Sequence, residues 1–291
     1  MSWFFYALAC AALSSCSTLI EKKALFTVHA VEYSLIVAVF NVILAIPFFF
    51  FSSFSAVSLP VLLLILVLAL MNAISFISIA HGMRHMEISA ASPLLVLSPA
   101  FTGILAFAFL GEALSTLQIS GILLLIVGVY ILELKSHHAL LDPFRELFIS
   151  PYSRSILFGI GLYGISAFFD RLILSRFGLP PATYLPLMIA AIGVAMIVVG
   201  TFYGYSLKDA FKDFRKNGKP LTIPVAFFMI GYRFAQLQAV ALAFVAPVLA
   251  IKRISSFFTT LVGGEIFHEK NLLRRLIATA LMIVGVIFLI P

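Results

Sequence analysis

The chain has 291 residues, 63% of them hydrophobic and 11% charged, with a formal net charge of +7. A soluble domain of this length has nowhere to bury so much apolar surface, which excludes a water-soluble globular protein and makes lipid the natural solvent. In that solvent an excess of Lys and Arg reads as a topology signal at helix ends, not as a nucleic-acid surface.

Ten apolar runs follow one another, at approximately 2–20, 34–52, 59–80, 90–110, 116–134, 155–177, 183–203, 221–244, 246–267 and 273–290. Each is close to the roughly 20 residues a spanning helix needs. Hydrocarbon satisfies no backbone group, so each run is expected to be helical, and the runs are too uniformly apolar for barrel strands. The first begins at Trp3 without a basic flank and reads as an uncleaved helix. It holds both cysteines, Cys10 and Cys16. Six residues place them about 600° apart around a helix, so they share no face for a disulfide or a metal. In the fourth run, "ASPLLVLSP" (91–99) puts Pro93 and Pro99 where a kink is expected. "KSHHALLDPFRELFISPYSRS" (135–155) and the amphipathic "YSLKDAFKDFRKNGKP" (205–220) are the long polar connectors. The expected fold is all-α, with ten transmembrane helices in two five-helix repeats: 1–134, a connecting loop 135–154, and 155–291.

The halves resemble each other. "SSCSTLIEKKAL" (14–25) aligns with "YGISAFFDRLIL" (163–174) at an offset of 149. "FLGEALSTLQISGILLLIVGVYIL" (109–132) aligns with "IFHEKNLLRRLIATALMIVGVIFL" (266–289) at an offset of 157. The difference fits an insertion in the 204–219 connector. Five spans per half is odd, so the copies insert in opposite directions, as in alternating-access transporters. Five plus five helices, "FLGE" (109–112) closing the fourth and "GILLLIVGVYIL" (121–132) after it resemble the drug/metabolite transporter superfamily in its EamA-like branch. The resemblance implies a secondary transporter of small metabolites with a cavity between the halves.

Connectors after odd-numbered spans carry the basic residues, among them Lys22, Lys23, Arg84, Lys135, Arg145, Arg154, Lys208, Lys212, Arg215, Lys270, Arg274 and Arg275. Those after even-numbered spans carry almost none. The positive-inside rule puts the odd connectors in the cytoplasm and both termini outside a plasma (inner) membrane.

Charges within the spans are the candidate functional groups, because an Arg or Lys at mid-helix costs about 2.5–3.5 kcal/mol on insertion scales. Arg233 lies near the midplane of the eighth span, and Lys252 with Arg253 part-way into the ninth. A cavity-facing Arg and Lys suit a carboxylate or phosphate; pairing with carboxylates of other helices is the structural alternative. "AIKRISSFF" (250–258) resembles the ninth-helix segment of plastid sugar-phosphate antiporters of the same superfamily, where an adjacent Lys-Arg holds phosphate. That family adds a Lys four residues before a Pro on the fourth helix; here Leu95 stands before Pro99, so that ligand is absent. Asn41, Asn72, Tyr163 and Tyr232 complete the expected substrate-binding set. Glu21-Lys22, Asp170-Arg171 and Glu265 are expected in gating or coupling. His81 and His85 are spaced to grip a metal, but Arg84 between them argues against it, and Glu112 and Glu269 are expected at helix ends.

No nucleophile–base pair, phosphate loop or metal set is present, so neither an enzyme nor a cofactor is expected. The reading is a multi-pass secondary active transporter, an exporter or exchanger, for a small anionic or zwitterionic metabolite such as an amino acid or organic acid. Its alternatives are a lipid-linked sugar-phosphate flippase and a non-transporting scaffold. Its partners are the small-molecule substrate and the bilayer, without nucleic acid, and a homodimer is compatible with it.

Overall fold

A computed structural model describes residues 2–54, 57–98, 115–133, 148–217, 221–243 and 245–288. Among these residues the regular elements are all helices. They are α1 (Ser2–Leu25), α2 (Ala30–Phe49), α3 (Leu59–His85), α4 (Ile88–Leu94), α5 (Thr116–Glu133), α6 (Pro151–Ser175), α7 (Pro181–Phe202), α8 (Leu207–Asn217), α9 (Thr222–Leu242), α10 (Val245–Ile266) and α11 (Leu272–Phe288). By length and composition α1, α2, α3, α6, α7 and α9 are able to cross a membrane. The fourth expected span is described only as far as Ser98; the rest of it, with Pro99 and Glu112, and the connecting loop over 134–147 lie outside the described residues.

Local chemistry sets the helix ends. Ser150 caps α6, its Oγ accepting from the Ser153 amide, and Pro151 occupies the first turn, where no N–H is needed. The α10–α11 turn is tight, with His268 and Asn271 in the left-handed region at φ 52° and 58°. Pro93 removes a backbone donor from α4, which tightens into a 3-10 turn over Leu95–Leu97. The second polar connector contains a helix of its own. In α8, Phe211 and Phe214 pack on the core and Phe40 of α2, while Lys208 and Lys212 stay exposed.

Packing runs across the two sequence halves. The most extensive contacts join α1 to α9, α3 to α6, α5 to α11 and α2 to α7, and α10 lies against α1 and α4. Lipid offers no hydrophobic incentive for helices to associate, so close approach and hydrogen bonds carry the interfaces. On α3 and α6, Gly82 faces the Tyr152 carbonyl and Ile156, and Gly159 faces the Ser75 carbonyl. Ser75 Oγ donates to the Gly159 carbonyl at 2.6 Å and Ser155 Oγ to that of Ser78 at 2.7 Å. These contacts set α3 and α6 antiparallel. On α5 and α11 a methyl at Gly285 would lie 2.7 Å from the Gly121 carbonyl, which cannot yield as a side chain would.

That difference gives a paired test. Gly285→Leu should lower the stability of the detergent-solubilised protein by about 1–3 kcal/mol or more, as overpacking does. Gly161→Ala, whose new methyl meets nothing within 4 Å, should be neutral or stabilising by roughly 0.5–1 kcal/mol. Thermal unfolding of both variants checks the contrast; equal melting temperatures would contradict the α5–α11 packing.

Candidate functional site

Two adjoining cavities meet around Arg233, near the middle of α9. The first is lined by Ser34, Asn41, Asn72, Phe76, Met229 and Arg233 among others, from α2, α3, α7 and α9. The second is lined by Tyr163, Asp170, Tyr184, Gln236 and Arg233 among others, from α6, α7 and α9. They hold about 390 and 330 Å³ of atom-free space, but both are narrow, wide enough for water rather than a metabolite. Arg233 and Ile189 line both.

In the first cavity Asn72 Nδ2 donates to the Leu68 carbonyl at 2.8 Å and to Ser166 Oγ at 2.6 Å. Asn41 Nδ2 donates to Met229 Sδ at 3.0 Å, and its buried Oδ1 has no hydrogen-bond partner among the described residues. A buried acceptor left open is costly unless a donor arrives. In the second, Tyr184 donates to Asp170 Oδ1 at 2.6 Å. Arg233 shares this cavity with Asp170, yet the two form no ion pair among the described residues. One narrow space thus carries a guanidinium and a carboxylate held apart.

Lys252 stands behind the wall of the second cavity. It is 5% exposed, its ammonium donating to Gln236 Oε1 at 2.6 Å and Tyr163 OH at 3.2 Å. It also lies 4.7 Å from the Tyr232 ring centre and 5.3 Å from that of Tyr163, a cation–π cage. Tyr163 OH donates in turn to Gln236 Oε1 at 3.2 Å. Arg253 bonds Ser98 through one terminal nitrogen, while its buried Nε has no hydrogen-bond partner among the described residues. The sequence leads one to expect Lys252 and Arg253 on the cavity surface. Neither lines the two cavities: neutral partners on α6, α9 and the fourth span hold them behind the wall.

The two acid–base doublets are not local ion pairs. Lys22 Nζ donates to the Met83 carbonyl at 2.7 Å and to that of Met86, and Arg171 to the Val240 carbonyl at 2.7 Å and to that of Ala243. Both cations thus cap the C-terminal ends of other helices, α3 and α9, where the helix dipole is negative. Glu21 is buried, with no hydrogen-bond or ion-pair partner among the described residues. Glu265 is exposed at the end of α10, away from both cavities. Glu269 accepts from the amides of Ile88 at 2.7 Å and Ser89 at 2.9 Å, capping α4, with Arg275 between it and Glu87. His85 stacks on Tyr152 at 4.5 Å, beside His81.

The sequence reading missed Gln236, Tyr184 and Ser98. Gln236 carried a usable signal, being a polar residue three positions after Arg233 and hence on its face of the helix. Ser98 and Tyr184 carried none, since each is ordinary in an apolar span.

Residues 1–134 match the model of the EamA-like transporter family, consistent with the drug/metabolite transporter superfamily. That family is one of membrane transporters, not of enzymes. A solved structure described as "Crystal structure of protein" matches with a TM-score of 0.56 at 14% identity, over 99% of this chain and 96% of that one. At this identity the likeness speaks for the fold alone. The comparison with curated proteins gave no match. With six helices able to cross a bilayer, the chain is a multi-pass membrane protein.

The Lys252–Gln236 contact yields a double-mutant test. Gln236→Leu leaves a buried ammonium short of its best acceptor and should cost about 1–3 kcal/mol. Adding Lys252→Met removes the stranded charge and should recover most of that loss. Thermal unfolding of both singles and the double measures the coupling; additive losses would show that the contact is not formed.

Proposed function

We propose that the protein is a secondary active transporter, working by alternating access as an exporter or exchanger in the plasma (inner) membrane. Its cargo is a small polar metabolite carrying an anionic group, alone or in a zwitterion. One observation carries the substrate class: Arg233 and Asp170 face a single cavity without pairing. Opposite charges that face one cavity without an ion pair between them leave room for a ligand that brings charges of its own. A zwitterion such as an amino acid complements both, its carboxylate on the Arg233 fork and its ammonium on Asp170 and the Tyr184 hydroxyl. Asn41, with its open acceptor in the adjoining cavity, suits a donor elsewhere on the same molecule. In this reading Tyr163 and Gln236 form cavity wall, and Lys252 and Arg253 supply positive potential from behind it.

Two inverted five-helix halves are part of the proposal. The helix pairings support them. Exchanging the halves carries α1–α9 onto α6–α3, and α2–α7 and α5–α11 onto themselves, so the main contacts map onto contacts of the same set. A cavity at mid-depth between helices of both halves is where such transporters bind.

Ligand-induced thermal stabilisation tests the substrate class. The panel comprises zwitterionic amino acids, organic acids, phosphates, amines and neutral sugars. Zwitterions should stabilise most. Arg233→Lys should weaken binding by about tenfold or more, because a point charge replaces a fork. Asp170→Asn should weaken zwitterions while sparing simple carboxylates. Stabilisation by amines that survives Arg233→Ala would overturn the proposal.

A further inference from the structure

Lys22 and Arg171 are 149 positions apart. Their acceptors Met83 and Val240 are 157 apart, as are Met86 and Ala243. These are the two offsets that relate the halves in sequence, so the two contacts are copies of one another. Lys22 ties the end of α1 to the end of α3, and Arg171 ties the end of α6 to the end of α9. The extensive packing runs the other way, α1 on α9 and α3 on α6. Each cation therefore reaches across the seam between two tightly packed helix pairs. Because α3 and α6 are antiparallel, with Gly82 at Tyr152 and Ser75 at Gly159, the two contacts sit at opposite ends of that seam. The cavities lie between, and both are narrow.

We propose that Lys22 and Arg171 are the latches of two gates, one at each membrane face, and that the described conformation is occluded with both shut. The proposal rests on the transport reading. Opening one end separates its cation from two helix-terminal carbonyls, and water at that face takes over both sets of hydrogen bonds. The other latch stays closed and serves as the pivot. Neither step breaks the α1–α9 or α3–α6 packing, so each pair moves as a unit. Glu21 and Asp170, one residue before each latch, point to a different face of their helices and take no part in the contact.

The test reads accessibility from each side. Reporters are single cysteines in a Cys10→Ser, Cys16→Ser background: Ser34→Cys in the first turns of α2, at the Lys22 end, and Leu185→Cys in the first turns of α7, at the Arg171 end. Labelling by a membrane-impermeant maleimide is measured in oriented vesicles. Lys22→Met should speed labelling at Ser34→Cys about tenfold without speeding Leu185→Cys, as expected for loss of charge-assisted hydrogen bonds from one closed state. Arg171→Met should do the converse, and Lys22→Arg should restore slow labelling. A merely structural role predicts lower melting temperature with no sidedness. Unchanged labelling, or equal changes at both reporters, would overturn the proposal. Should either Met variant fail to fold, Lys22→Gln and Arg171→Gln should give sided changes of smaller size, and loss of sidedness there would equally overturn it. Labelling needs no substrate, so sided gating without movement of any test metabolite would sink the transport reading and leave the latches standing.

Discussion

Within a bilayer no water reaches the hydrocarbon core, so each polar group on a spanning helix must find its partner in the protein. That constraint organises this structure. Serines on α3 and α6 donate to carbonyls of the facing helix. Lys22, Arg171 and Glu269 spend their charges on helix ends, whose terminal backbone groups have no intrahelical partner. Lys252 finds an amide oxygen, a phenol and two ring faces. Glu269 alone of these is also shown against an opposite charge, that of Arg275 at 3.4 Å. The Lys22 and Lys252 ammoniums are held by dipoles, whose bonds can be exchanged for water with less loss than a buried ion pair could.

The cavity reverses this logic. Around Arg233 the structure holds a guanidinium, a carboxylate bonded by one phenol, and an amide oxygen with no donor. Polar groups with capacity left open towards one cavity are what a ligand-binding site requires, because the ligand then supplies the missing partners.

Much of this was legible in the sequence, and the rest was not for identifiable reasons. Hydropathy located the helices, since twenty apolar residues have few other fates in lipid. Polar residues within the spans located Asn41, Asn72, Tyr163 and Arg233, which do line the cavities. The doublets Glu21-Lys22 and Asp170-Arg171 stood out for gating or coupling, but their sequence did not name their partners. Adjacent residues on a helix point about 100° apart, and the acceptors that the cations found are backbone carbonyls, which no residue type announces. Lys252 and Arg253 were recognisable as costly. Whether they face a cavity or its back wall depends on Gln236 and Ser98, which meet them only through tertiary packing. Glu265 drew attention by its charge alone and is exposed at a helix end. Residues 99–114, between α4 and α5, lie outside the described residues, and the place of Glu112 with them.

The chemistry of the latches bears on how such a seam can open at all. A salt bridge buried at each end would hold the occluded state firmly, and breaking it would strand two charges in a low-dielectric medium. A cation on helix-terminal carbonyls is different. These carbonyls lie at the last turn of α3 and α9, next to the membrane face, so parting the helices admits water to both partners at once. The closed state is favoured by a desolvated charge–dipole contact, and the open state by hydration of the same groups. Two such states differ by little, which an element that must switch repeatedly requires. The α1–α9 and α3–α6 packing keeps each helix pair rigid while one end opens about the latch that stays closed at the other.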